Sequence, residues 1–176
     1  PADQVTRDVV VLCDNRFSWE RVRLFEQFMD FYGYGGIYRS VTWHELPETA
    51  IDRVQVRTLD AAHGRVEVRI LLDGHVPAAC DVNMAFDTGD ETLYTGQRVH
   101  DGVMTLECDV PNPRVWSPDA PELHTVRVTL GTDDIIERFG LRTVTAENGY
   151  VCVNGEPRKL KGYCRHEAHP QFGPAL

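Results

Sequence analysis

The chain has 176 residues, 42% of them hydrophobic, with 27 acidic residues against 18 basic ones and a formal net charge of −9. That length and apolar content support a globular fold with a buried core, whereas the acidic balance disfavours a nucleic acid partner, whose phosphates need clustered Lys and Arg. No apolar run approaches the ~18 residues that span a bilayer and the N-terminus shows no basic-then-apolar signal pattern, so no membrane partner is expected.

In chain order, residues 9–12 read as a buried strand. Val22, Phe25, Met29 and Tyr32 recur at helical spacing and predict an amphipathic helix over about residues 19–29. A long loop competes, because Gly33, Gly35 and Gly36 follow at once. Residues 37–43 are the next strand candidate. Period-two alternation then sets in: Val54 and Val56; Val66, Val68 and Ile70 with Arg65, Glu67 and Arg69 between them; Cys80, Val82, Met84 and Phe86. It continues through Met104, Leu106, Cys108 and Val110, then Val126, Val128 and Leu130, and residues 135–143 complete the series. Such alternation marks half-buried strands. Turn signals separate them at His63-Gly64, Asp73-Gly74, Asp101-Gly102 and Gly131-Thr132. The expected fold is all-β, an immunoglobulin-like antiparallel β-sandwich of about seven strands in ~100 residues. The Cys, Trp, Cys spacing of antibody domains is missing, so the likeness concerns architecture and not immune function. After the sandwich, Tyr150-Val151-Cys152-Val153 runs into Asn154-Gly155, a pair that supplies the positive φ angles of a two-residue turn, and a small hairpin returns through residues 158–161.

The five cysteines, Cys13, Cys80, Cys108, Cys152 and Cys164, form no C-x-x-C pair and are odd in number, so reduced thiols are expected. Cys80, Cys108 and Cys152 stand in register with apolar neighbours and read as small buried hydrophobes. Unpaired thiols lean toward a reducing cytoplasm.

Three stretches carry further information. They are Asp14-Asn15-Arg16 followed by Asp30-Phe31-Tyr32-Gly33-Tyr34-Gly35-Gly36-Ile37-Tyr38-Arg39-Ser40-Val41; then Val115-Trp116-Ser117-Pro118-Asp119-Ala120-Pro121-Glu122-Leu123-His124 with Arg138-Phe139-Gly140-Leu141-Arg142; then Val153-Asn154-Gly155-Glu156-Pro157 with Gly162-Tyr163-Cys164-Arg165-His166-Glu167. In this order and at these intervals they resemble glycoside hydrolase family 2, the β-galactosidases, β-glucuronidases and β-mannosidases, over nearly the whole chain. The resemblance implies that residues 1–45 are the C-terminal remnant of a jelly-roll sugar-binding domain, residues 46–146 the immunoglobulin-like β-sandwich, and residues 147–176 the hairpin and first strand of a truncated TIM barrel.

It also implies candidate residues. Asp30 matches a family aspartate that reaches the barrel mouth, where a carboxylate accepts hydrogen bonds from two sugar hydroxyls. His166 matches the histidine at the end of the first barrel strand, with Arg165 and Glu167 beside it, at the strand end where such barrels place working residues. Asp30, Arg165 and His166 are therefore the expected substrate-binding residues of the parent. Cys164 departs from the family, in which many members carry Asn there. Trp116, Pro118 and Pro121 are expected to pack a strand lead-in and not to stack on sugar, and Arg39 and Arg142 to be buried guanidinium groups satisfying backbone carbonyls at domain junctions. His166-Glu167-Ala168-His169 does not have the H-E-x-x-H spacing, so zinc is not expected, and neither is any cofactor.

Family members hydrolyse β-glycosides with retention, which needs two carboxyls about 5 to 5.5 Å apart. The resemblance places both glutamates after Leu176, so the expectation is a non-catalytic, β-galactosidase-like segment that spaces the sugar-binding domain from the barrel and is inactive alone. Its partners would be a β-linked carbohydrate in the parent, the parent's remaining domains and a second copy, since unpaired strand edges at residues 9–12 and 38–43 invite association into a homo-oligomer. The rival reading is a free-standing β-sandwich that binds a carbohydrate or a protein. An independent enzyme using Asp30, His166 and Glu167 is disfavoured, because catalytic groups need a scaffold rigid to ~0.5 Å.

Overall fold

The computed structural model describes residues 8–14 and 35–165. The chain divides into two compact units, one spanning His44–Leu160 and the other combining Pro1–Trp43 with Lys161–Leu176. Among the described residues of the second unit no strand forms. Val10, Leu12, Val41 and Trp43 are all exposed, so the strands expected at residues 9–12 and 37–43 are not present. An apolar run becomes a strand only where a neighbour pairs with its N–H and C=O groups, and no ladder runs along either segment. The helix expected over residues 19–29 lies outside the described residues.

The first unit is all-β. β1 (Thr49–Asp60), β2 (Arg65–Gly74), β3 (Ala79–Phe86), β4 (Glu91–His100), β5 (Val103–Asp109), β6 (His124–Leu130) and β7 (Asp133–Phe139) form an antiparallel sheet in the order β1-β2-β5-β4-β3-β6-β7. A smaller sheet holds β8 (Val144–Glu147), β9 (Tyr150–Val153) and β10 (Glu156–Arg158) in the order β10-β9-β8. With β1, β2 and β5 on one face and β3, β6 and β7 on the other, the order is that of an immunoglobulin-like sandwich.

Alternation builds the core as expected. Val66, Val68 and Ile70 are fully buried while Arg65 and Arg69 face solvent; Met104 and Leu106, and Val126, Val128 and Leu130, face them from the other strands. Each such side chain contributes about 1.5–3 kcal/mol by leaving water. Cys80 and Cys108 pack against this core half-buried, and Cys152 is buried in the small sheet. Burial pushes the Cys108 thiol up to about 11, with the Tyr94 hydroxyl pulling the other way.

β4 has no counterpart in the sequence pattern, and it is the strand that joins the two faces. Its first part pairs with β3, from Ala85↔Glu91 to Ala79↔Arg98, and its last two residues pair with β5 through Val99↔Met104 and His100↔Val103. Between the two, Thr95 and Gly96 stand opposite the single residue Asp81, in the register shift between Cys80 and Val82. Gly96 takes φ +59° there and donates its N–H to the Asp81 carboxylate at 2.6 Å. A bulge of this kind bends its strand and increases its twist, which is how one strand changes sheets.

The hairpin after the sandwich forms with Asn154 at φ +52° and Gly155 at +78°. A second Asn-Gly turn, Asn148 at +49° and Gly149 at +81°, joins β8 to β9, so the small sheet begins at Val144, inside the stretch first assigned to the sandwich.

Candidate functional site

Asp30 and His166 lie outside the described residues. Arg165 is exposed at their end. Among the described residues, then, the structure brings none of the three substrate-binding candidates together, and the polar chemistry it does assemble lies elsewhere in the first unit, in two clusters.

The first is built on His124, which shares the inward face of β6 with Val126, Val128 and Leu130 and is completely buried. A buried imidazole needs a partner for each nitrogen. Its Nδ1 meets the Asp87 carboxylate at 2.9 Å and its Nε2 accepts the Arg114 backbone N–H at 3.0 Å. Those roles place the ring proton on Nδ1. The ring stacks on Phe139, with centroids 5.8 Å apart. Arg114 returns to Asp87 through Nη2 at 2.8 Å and to the Leu123 carbonyl at 3.1 Å. Burial by itself would raise the Asp87 carboxyl, but the hydrogen bonds from Arg114, His124 and the Thr125 amide outweigh it and hold it below the ordinary carboxylate range. A carboxylate orienting an imidazole is half of a nucleophile-activating arrangement. Here the second nitrogen is committed to a backbone amide, so the ring cannot take a proton from a substrate or a hydroxyl, and the cluster fastens the lead-in loop to β6.

The second cluster joins the sandwich to the small sheet. Gly140 presses against Trp116, whose Cγ would lie 2.8 Å from any Cβ at that position. The Arg142 guanidinium sits over the Trp116 ring, 4.5 Å from its centroid. Trp116 is thus a packing residue, as expected. Arg142 and Arg39 are exposed and not buried as expected; a guanidinium is weakly hydrated and stacks on an indole face without leaving water entirely. The Trp116 amide donates to the Leu141 carbonyl at 3.0 Å, and its own carbonyl accepts the Asn154 Nδ2–H at 2.9 Å. Asn154 Oδ1 accepts the Thr143 amide at 3.0 Å, and the Asn154 amide donates back to the Thr143 carbonyl at 3.0 Å. Arg158, at the end of β10, reaches Asp119 at 3.1 Å. Residues 116–119 therefore hold the exit of β7, the β9–β10 turn and the end of β10 together.

Beside this joint, a groove of about 830 Å³ runs between the outer edge of β1 at Val54–Thr58 and residues 137–145. It is lined by Gln55, Arg57, Arg138, Phe139 and Thr145, among others. Arg57 is already bound to Glu67 through two bonds of 3.0 Å. Nothing in the lining pairs an acid with a base or a nucleophile at reacting distance.

The model of the glycosyl hydrolases family 2 matches residues 48–142, more than half of the chain and the whole of the seven-stranded sheet. The chain belongs to this family. Two solved structures of family 2 type share its fold over 93% of its length. One is the β-galacturonidase from Eisenbergiella tayi bound to galacturonate, at 29% identity with a TM-score of 0.70. The other is the β-glucuronidase of Parabacteroides merdae, at 24% identity with a TM-score of 0.68, a likeness of fold alone. The chain spans only 30% of the first and 22% of the second. As a glycosyl hydrolase family 2 segment it supplies the sandwich, and neither polar cluster in that sandwich has the form of a glycosidase's carboxylate pair.

Proposed function

We propose that this segment is the non-catalytic spacer of a retaining β-glycosidase, holding a sugar-binding domain and a catalytic barrel on opposite sides of residues 46–146. What supports this reading is the extent of the likeness: the family model covers the sandwich, and the similarity to the β-galacturonidase continues over 93% of the chain, into both flanks. In this reading residues 1–45 belong to the sugar-binding domain and residues 147–176 open the barrel. Asp30, Arg165 and His166 contact sugar in the assembled parent, and the two carboxylates that break the glycosidic bond come from outside these 176 residues.

The names of the relatives favour a β-uronide as the parent's substrate over the neutral β-galactoside first expected. The test is to assay the 176-residue chain and a longer polypeptide that carries it into a barrel, each with the nitrophenyl β-glucuronide, β-galacturonide and β-galactoside. Turnover by the longer protein only, faster on the uronides, is the expected outcome. Turnover by the short chain overturns the spacer role, and preference for the galactoside overturns the uronide assignment. Association of the short chain is proposed as well, through exposed apolar residues such as Val10 and Leu12; a light-scattering mass that stays monomeric at all concentrations counts against it.

A further inference from the structure

Asn154 occupies a turn position that needs a left-handed backbone, with φ +52°. For a turn alone, Gly, Asp and Asn serve almost equally. The side chain has a second task, however: it accepts a hydrogen bond from the Thr143 amide and donates one to the Trp116 carbonyl. Gly has neither group, and an ionised Asp only accepts. Of the residues that tolerate this backbone, Asn alone meets both demands, so its identity is set by the contacts across the joint and not by the turn.

Those contacts tie together three separate pieces: the 116–119 loop, the strand exit at Thr143 and the β9–β10 turn. The Arg158 ion pair with Asp119 clamps the end of β10 to the same loop. Only Lys159 and Leu160 then precede the segment that holds Arg165. Three residue steps reach roughly 10 Å at most, too short to absorb an error in the direction β10 takes.

We propose that Asn154 is a positioning residue: through Thr143 and Trp116 it sets the angle at which the chain leaves the sandwich, and so aims the segment carrying Arg165. Its catalytic consequence rests on the glycosidase reading above; its mechanical content does not. Asn154→Gly keeps the backbone conformation and removes both side-chain bonds, and Asn154→Asp keeps only the bond from Thr143.

Two measurements decide the matter. With Cys13 and Cys164 replaced by Ser, spin labels at Thr105→Cys and Lys159→Cys report the distance between the sandwich and the end of β10. The distribution is narrow with Asn154, broad with Asn154→Gly and intermediate with Asn154→Asp; a width unchanged by Asn154→Gly overturns the proposal. In the longer enzyme, Asn154→Gly lowers kcat/KM by roughly 10- to 100-fold at a temperature where circular dichroism shows it fully folded, as expected when remote groups misplace a reacting centre. A residue that merely stabilises the fold shifts the melting temperature and leaves kcat/KM of the folded enzyme in place, which also overturns it. If the parent with Asn154 intact hydrolyses none of the glycosides, the glycosidase reading fails, and the distance widths still decide whether Asn154 fixes the joint.

Discussion

At the scale of single residues, the polar groups of the sandwich are placed where the backbone needs partners. His124 satisfies Arg114 with one nitrogen and Asp87 with the other. His124→Leu fills much of the same space but leaves a buried amide and a carboxylate without their bonds, and should cost about 2–3 kcal/mol in urea unfolding; an unchanged midpoint refutes this. Asp87 adds a pH dependence whose sign is fixed. Its folded-state value lies below its ordinary 3.8, so the stability it contributes is fully present above that pH and is lost as pH falls through the folded value. Asp87→Asn should therefore flatten the acid limb below pH 3.8 in a fluorescence titration, at a cost in stability near neutrality. His124 was legible in the sequence, since it falls in step with Val126, Val128 and Leu130 and a histidine on an inward face must be satisfied there. Asp87 and Arg114 were not, because each lies in a connection with no periodicity and meets the ring only through the fold.

Among the elements, strands buried on one face declare themselves and strands that serve as connections do not. β2 and β6 alternate cleanly because one side of each meets the core and the other meets water. In β4 no residue is fully buried and Leu93 is exposed, because the strand bends from one face to the other and its two sides change environment midway. β8 has four residues, all exposed, and is a strand only because β9 pairs with it. Residues 9–12 teach the reverse, being apolar enough for a strand without forming one. At the joint the elements meet too closely for any added atom. In Gly140→Ala the new methyl would stand 2.7 Å from Arg142 Nη1 and 2.8 Å from Trp116 Cγ, and displacing that stack should cost about 1–3 kcal/mol. A melting temperature equal to that of the parent chain would show that the stack yields freely.

Over the whole molecule, the five thiols divide by environment. Cys13 and Cys164 are exposed, Cys152 is buried, and Cys108 is held protonated far above pH 8 by its burial. Because the thiolate is the reacting species, Ellman's reagent at pH 8 should modify Cys13 and Cys164 first and leave Cys108 and Cys152 until denaturant is added. Rapid native labelling of Cys108, read by mass spectrometry, would contradict its placement. The same scale gives β4 a meaning beyond topology. Two sheets that meet only through side chains can shear past one another, since dispersion contacts are non-directional and re-form after sliding. Here a single backbone ladder passes from one face to the other through β4, so the sandwich has no slip plane. Torque applied at one end has to break hydrogen bonds before it can deform the other, and domains mounted on such a piece turn together, as on a rigid shaft.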